Sequence, residues 1–195
     1  MVKPLRAITA LLLSLTSLAY GATMNNPDIK LNPNPRMRYE ITVTVENAPG
    51  PFDRVEGTVD YKVANRECVP LTPVVGATVV PQKRVTMQLT PVGNNVYRGY
   101  LFADLMQDED YYGMGVCHWT VVGANADFSH AIIDFSPAIF KEDILKNGAV
   151  KKYFANESYT DLDMKRVDIG EDSPDRYKDR EHTFSITIKA EEARP

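Results

Sequence analysis

The chain has 195 residues, with 22 Lys and Arg against 26 Asp and Glu, a formal net charge of −4 and two cysteines. That length supports one ordinary domain with a core of its own. An acidic balance without a basic run argues against sequence-independent nucleic-acid binding, which depends on neutralising phosphates, and it disfavours anionic membrane surfaces.

The chain opens MVKPLRAITALLLSLTSLAYGA, with Lys3 and Arg6 before an apolar run from Ala7 to Leu18 and small residues at Ala19 and Gly21. This pattern predicts a secretory signal peptide over residues 1–21. Its apolar run is shorter than the roughly 20 residues that span a bilayer, so no stable membrane anchor is expected after cleavage. Residues 1–21 carry two basic and no acidic side chains, so the mature chain keeps 20 basic against 26 acidic, net −6. The expected location is periplasmic or secreted. In that compartment the two cysteines, Cys68 and Cys117, are expected to form a disulfide.

Residues 22–36, rich in Asn and Pro, are expected to be a flexible lead into a single domain over 37–195. Period-two alternation then dominates. Tyr39, Ile41, Val43 and Val45 share one face of RYEITVTVEN, and Val59, Tyr61 and Val63 share one face of EGTVDYKV. RVTMQL repeats the pattern with Val85, Met87 and Leu89, and VYRGYLFAD places Tyr97, Gly99 and Leu101 opposite Tyr100 and Phe102. In GMGVCHWTVV, Cys117, Trp119 and Val121 share a face, which predicts an indole ring packed beside the disulfide. GANADFS reads as a turn and HAIIDFS as a further strand.

Over residues 37–136, Asn94, Tyr97, Leu105, Tyr111 or Tyr112, and Asn125 fall in an order that resembles the later strands of bacterial immunoglobulin-like and fibronectin-type sandwiches. The resemblance implies an all-β, antiparallel immunoglobulin-like β-sandwich, and a tyrosine-corner hydrogen bond from Tyr111 or Tyr112. The chain departs from antibody-type domains: these tyrosines lie six and five residues before Cys117, and Trp119 follows the second cysteine.

Beyond Phe135 the pattern changes. Ser136 and Pro137, followed by Ile139, Phe140, Ile144 and Leu145 at helical spacing, predict a C-terminal helical insertion over about 137–154, with a stop at Asn147 and Gly148. Residues 156–181 read as a polar exposed loop. Phe184, Ile186 and Ile188 then alternate with Ser185, Thr187 and Lys189, which predicts a final strand returning to a sheet.

No nucleophile elbow, zinc-binding helix motif, phosphate-cradling glycine loop or paired Cys-x-x-Cys occurs, so no catalytic residues and no cofactor are expected. His118 and His130, with Asp134, form the metal candidates, if their strands pair across GANADFS. Asp104, Asp108, Glu109 and Asp110 in one loop, and Asp161, Asp163, Asp168, Glu171 and Asp172 in another, are the places where Ca²⁺ could find oxygens. A solvated charge run is the simpler reading of both.

What remains is binding. Tyr100, Phe102, Asp108, Glu109, Asp110, Tyr111 and Tyr112 form the candidate protein interface, because aromatic anchors beside charges suit a protein partner. The expected function is a non-catalytic exported protein-binding domain, of the kind an inhibitor or immunity-type protein acting by occlusion would be. The alternatives are an envelope or surface-assembly subunit, and a metal-dependent carbohydrate-binding or hydrolytic protein.

Overall fold

The computed structural model describes residues 27–72, 76–161 and 163–193. The expected signal peptide and residues 22–26 of the lead lie outside them. Eleven strands and two single-turn helices follow in order: β1 (Arg38–Glu46), β2 (Arg54–Val63), β3 (Gln82–Met87), β4 (Thr90–Gly93), β5 (Val96–Phe102), β6 (Trp119–His130), β7 (Ile133–Phe135), β8 (Ala138–Phe140), α1 (Lys141–Leu145), β9 (Ala149–Ala155), α2 (Asn156–Thr160), β10 (Arg166–Asp168) and β11 (Thr183–Glu192). They form two sheets. The first runs β4-β5-β1-β11-β9 and the second β10-β7-β6-β2-β3, with β8 also on β6. All pairings are antiparallel except β10 with β7.

The alternating residues point where their period demands. Tyr39, Ile41, Val43 and Val45 of β1 are buried together with Val59 and Tyr61 of β2, and with Ile186 and Ile188 of β11, in one core shared by the two sheets. Tyr61 crosses that core and donates its hydroxyl to the Phe102 carbonyl at 2.8 Å, which satisfies a polar tip that burial would otherwise penalise. Burial raises the pKa of this hydroxyl, so it stays protonated. The backbone passes from the second sheet to the first between Met87 and Thr90. A Cβ on Gly57 would lie 2.7 Å from the Met87 carbonyl oxygen, and one on Gly99 2.8 Å from that of Gln88. The two glycines make room for this crossing chain.

Several expectations are corrected. GANADFS is no turn but the middle of β6. The register against β2 shifts so that Asp60 faces Gly123 and Tyr61 faces Val121, leaving Val122 unpaired. This bulge moves the buried set from Val121 to Ala124, Ala126 and Phe128, and so hides a continuous strand from any period-two count. The helix expected over 137–154 is confined to Lys141–Leu145, while Ala138–Phe140 and Ala149–Ala155 are strands. Ile139 and Ile144 both enter the core, one from a strand and one from a helical turn, which mimics helical spacing. The stop is where the sequence places it: Asn147 has φ +57, and the Gly148 N–H returns to the Asp143 carbonyl at 2.8 Å.

The stretch 156–181 is not all loop, since it holds α2, β10 and Tyr159, which is buried and donates to the Pro51 carbonyl. The described part of the N-terminal lead is pinned: Leu31 bridges Met106, and the Asn32 N–H donates to the Leu105 carbonyl at 2.8 Å. The returning strand β11 enters the first sheet between β1 and β9, and it buries Phe184, Ile186, Ile188 and Ala190.

Candidate functional site

The segment between β5 and β6, residues 103–118, contains most of the expected interface. Here the acids build the loop. Asp108 accepts from the Trp119 N–H at 2.8 Å and pairs with His118 Nδ1 at 2.7 Å. Asp110 accepts from the Met114 N–H at 3.0 Å. Glu109 pairs with Lys30 at 2.6 Å, and its carbonyl accepts from the Cys117 N–H at 2.9 Å. Asp104 accepts from the Arg36 and Met37 N–H groups at 2.9 and 3.0 Å. Each carboxylate therefore satisfies a backbone or side-chain donor, as the acids of tight turns do.

The tyrosines are also structural. Tyr111 donates its hydroxyl to the Gln107 carbonyl four residues back, at 2.7 Å, and lies edge-on to Trp119 with ring centroids 6.5 Å apart. Tyr112 packs on the cluster of Val63, Cys68, Val69 and Cys117, and burial raises its pKa. The Cys68–Cys117 disulfide is formed, with Cα atoms 5.3 Å apart, and Trp119 packs against the same cluster. Asn65 completes the anchorage by donating to the Val116 carbonyl at 2.8 Å and accepting from the His118 N–H at 2.6 Å. Its amide thus clips the returning arm of the loop as a neighbouring strand would.

What this framework presents is its tip. Gly113 and Gly115 have φ values of +71° and +100°, in the region that glycine enters at least cost. Between and beyond them Met114 is 51% exposed and Val116 46% exposed. Neither residue stands among the sequence-derived candidates, although the Gly-Met-Gly pattern marks a tip. Asn65 carries no sequence signal for its role, because its partners lie about fifty residues away.

The remaining candidates are dispersed. Tyr100 sits on the outer face of the first sheet, where its hydroxyl donates to Glu40 at 2.8 Å and the Arg38 guanidinium lies 3.9 Å above its ring. Phe102 is half-buried beside it on the same strand. The seven expected interface residues thus divide between a sheet face and a loop framework.

His118 and His130 flank the two ends of β6, roughly 35–40 Å apart at strand rise, and do not approach one another. His130 stacks on Tyr159 with centroids 3.9 Å apart, while Asp134 accepts from the Ser129 hydroxyl at 2.5 Å. Among the described residues no group of three or more His, Cys, Asp or Glu is arranged to hold a metal ion. In the second acidic stretch Asp161 accepts from the Asp163 N–H and pairs with Arg166 at 2.6 Å, and these donors hold its carboxyl below the usual range. Asp168 accepts from the Gly170 N–H, and Asp172 pairs with Lys152. Tyr177 donates to the Tyr153 carbonyl, and its pKa is pushed up to about 12, mainly by burial.

Asp179 and His182 pair at 2.8 Å on the surface; the hydrogen bond raises the imidazole pKa and lowers that of the carboxyl. The histidine's stabilising contribution is complete below its ordinary value of 6.5 and fades as pH rises through the raised one. The carboxylate's is present above its ordinary 3.8 and is lost as pH falls through the depressed one. An NMR titration is expected to place the His182 midpoint above 6.5, and Asp179→Asn to lower it. An unshifted wild-type midpoint would show that the pair does not persist in solution.

Fold and site define a mostly-β domain of two facing sheets with a disulfide-anchored loop at one end. Comparison of the chain with family models, curated proteins and solved structures finds no match.

Proposed function

We propose that the chain is an exported, non-catalytic protein-binding domain of immunoglobulin-like topology, which occludes a partner with the pre-formed loop between β5 and β6. The observation that carries this is the pairing of a fixed backbone with an apolar tip. Met114 and Val116 are exposed on a loop already ordered by the disulfide, Asn65, Asp108 and Asp110. A loop rigid before binding loses little conformational entropy on docking, and Met is enriched at interface cores.

Strand order supports the topology. The order β11-β1-β5-β4 facing β7-β6-β2-β3 follows that of immunoglobulin-like Greek keys, with the C-terminal strand running where their first strand lies. The Tyr111 to Gln107 hydrogen bond falls at the corner where such domains carry their tyrosine corner. The disulfide and the signal-like leader support export to the periplasm or outside the cell. A net charge of −6 after leader removal favours a basic target, of the kind an inhibitor or immunity-type protein would occlude, through electrostatic steering. The assembly alternative draws less support, because β11 is already paired on both edges within its own sheet.

Oxidised protein lacking residues 1–21 is the bait for periplasmic and secreted extracts. It is expected to retain a stoichiometric partner that Met114→Asp/Val116→Asp loses by roughly 100-fold or more in affinity, since interface anchors carry ~2 kcal/mol or more each. The variant's melting temperature should be unchanged, because both side chains are exposed. Equal capture by the double variant would overturn the loop as the binding site.

A further inference from the structure

Four strands end the two sheets: β4 and β9 in the first, β10 and β3 in the second. Three of them carry a feature that discourages further pairing. β4 holds Pro91 and a shifted register, and β10 has three residues. β9 is met by Glu171, whose N–H and carbonyl bond the Tyr153 backbone at 2.9 and 2.8 Å. β3 has none of these devices: Gln82–Met87 contains no proline and pairs with β2 without a shift.

The Val63 N–H donates to the Pro81 carbonyl at 3.1 Å, which sets the phase of the β2–β3 ladder. Lys83, Val85 and Met87 therefore turn their backbone groups toward β2, and Gln82, Arg84 and Thr86 turn theirs outward. Among the described residues no strand pairs with that outer side. An open edge of this length is a template for one more strand.

The surface around the edge selects which strand fits. A pocket of about 490 Å³ opens beside the first residues of β3, walled by Val69, Pro70, Val80 and Tyr112, and Lys83 is its one charged wall residue. Lys83 and Lys62, which faces Gln82 across the ladder, are exposed and form no ion pair among the described residues. Asp60 is the one acid opposite β3, and Arg84 takes both of its oxygens at 2.7 Å. A basic edge on a chain that is acidic as a whole favours an acidic occupant. A second copy matches it poorly, because pairing β3 with β3 brings the Lys83 and Arg84 of one copy beside those of the other.

We propose that β3 receives an extended acidic segment of a partner protein as an added strand of the second sheet, with an aliphatic side chain in the pocket and a carboxylate at Lys83. The two main chains supply the hydrogen bonds, while the pocket and the lysine choose among side chains. Met114 and Val116 do not line the pocket, so this surface is separate from the loop tip.

Oxidised protein lacking residues 1–21 is titrated with the peptide acetyl-TVTETVT-amide and with acetyl-TVTKTVT-amide, and amide hydrogen exchange is followed by NMR. The glutamate peptide is expected to saturate and to slow exchange of the Gln82, Arg84 and Thr86 N–H groups at least about tenfold, with less change at Lys83, Val85 and Met87, which are already bonded to β2. The lysine peptide should bind at least about threefold more weakly, the scale of an exposed ion pair, and Lys83→Glu should remove that preference. Thr86→Pro deletes an outward N–H and leaves the β2 ladder intact, so it should weaken binding at least about tenfold while the protein stays folded. The proposal is overturned if the glutamate peptide does not saturate, if the three outward amides keep their free exchange rates, if the lysine peptide binds equally well, if Lys83→Glu keeps the preference for glutamate, or if Thr86→Pro binds as tightly as the wild type. A protein that is dimeric by itself, with those amides already protected and Thr86→Pro monomeric, would assign the edge to a second copy and overturn the acidic partner.

Discussion

Replacing Phe135 with Ala is expected to destabilise the protein by about 3–5 kcal/mol, the cost of deleting a fully buried phenyl ring whose surroundings collapse only in part. Phe135 belongs to the three-residue β7 of the second sheet. Its ring meets Phe154 of β9 at 5.4 Å and Phe184 of β11 at 5.0 Å, both edge-on and both from the first sheet. It also contacts Phe52 at 6.0 Å and stacks on Tyr159 at 6.3 Å. The ring therefore joins the two sheets at the end where β7 and β10, of three residues each, leave little ladder bonding to compensate for its loss. Thermal unfolding should show the midpoint falling by on the order of 10 °C, and the urea midpoint should fall to a lower concentration. Phe140→Ala is the matched control: that ring is 56% exposed, so its removal should change stability by less than about 1 kcal/mol. Equal, small effects at both positions would contradict the aromatic packing between the sheets.

Reduction of the Cys68–Cys117 bond, or the Cys68→Ala/Cys117→Ala pair, is expected to cost about 4 kcal/mol. The bond closes a segment with a sequence separation of 49, and the chain-entropy model assigns that magnitude to a loop of this size. Both cysteines are buried beside Val63 and Val69. The effect should also be local: hydrogen exchange is expected to quicken first across residues 103–118, where the bond and Asn65 together hold the returning arm. Partner capture should then fall further than stability alone requires, because the loop would have to order on binding. An unfolding midpoint indifferent to reductant would show that the bond does not form in the folded protein.

Much of the architecture was legible without coordinates, for reasons that are local. Period-two alternation orients side chains residue by residue, so the inward sets Tyr39–Val45, Val59–Val63 and Phe184–Ile188 needed only their own sequence. Two cysteines in an exported chain leave one intramolecular pairing. The stop at Asn147 and Gly148 likewise follows from backbone preferences of single residues.

The tertiary structure decided whatever depends on a distant partner. The bulge at Val122 exists because β2 and β6 pair out of step, and it shifts the alternation that would have revealed a twelve-residue strand. Ala149–Ala155 became a strand because β11 offers it a free edge, although Ile139 and Ile144 suggested a helix. Asp108 and Asp110 build the turn while remaining exposed, because backbone N–H groups converge on them once the loop closes. Sequence alone determined which side chains face inward in the strands that alternate without a bulge, since there it is a property of each strand. Which strands meet, and which polar groups are left facing a groove or a partner, followed from long-range pairing.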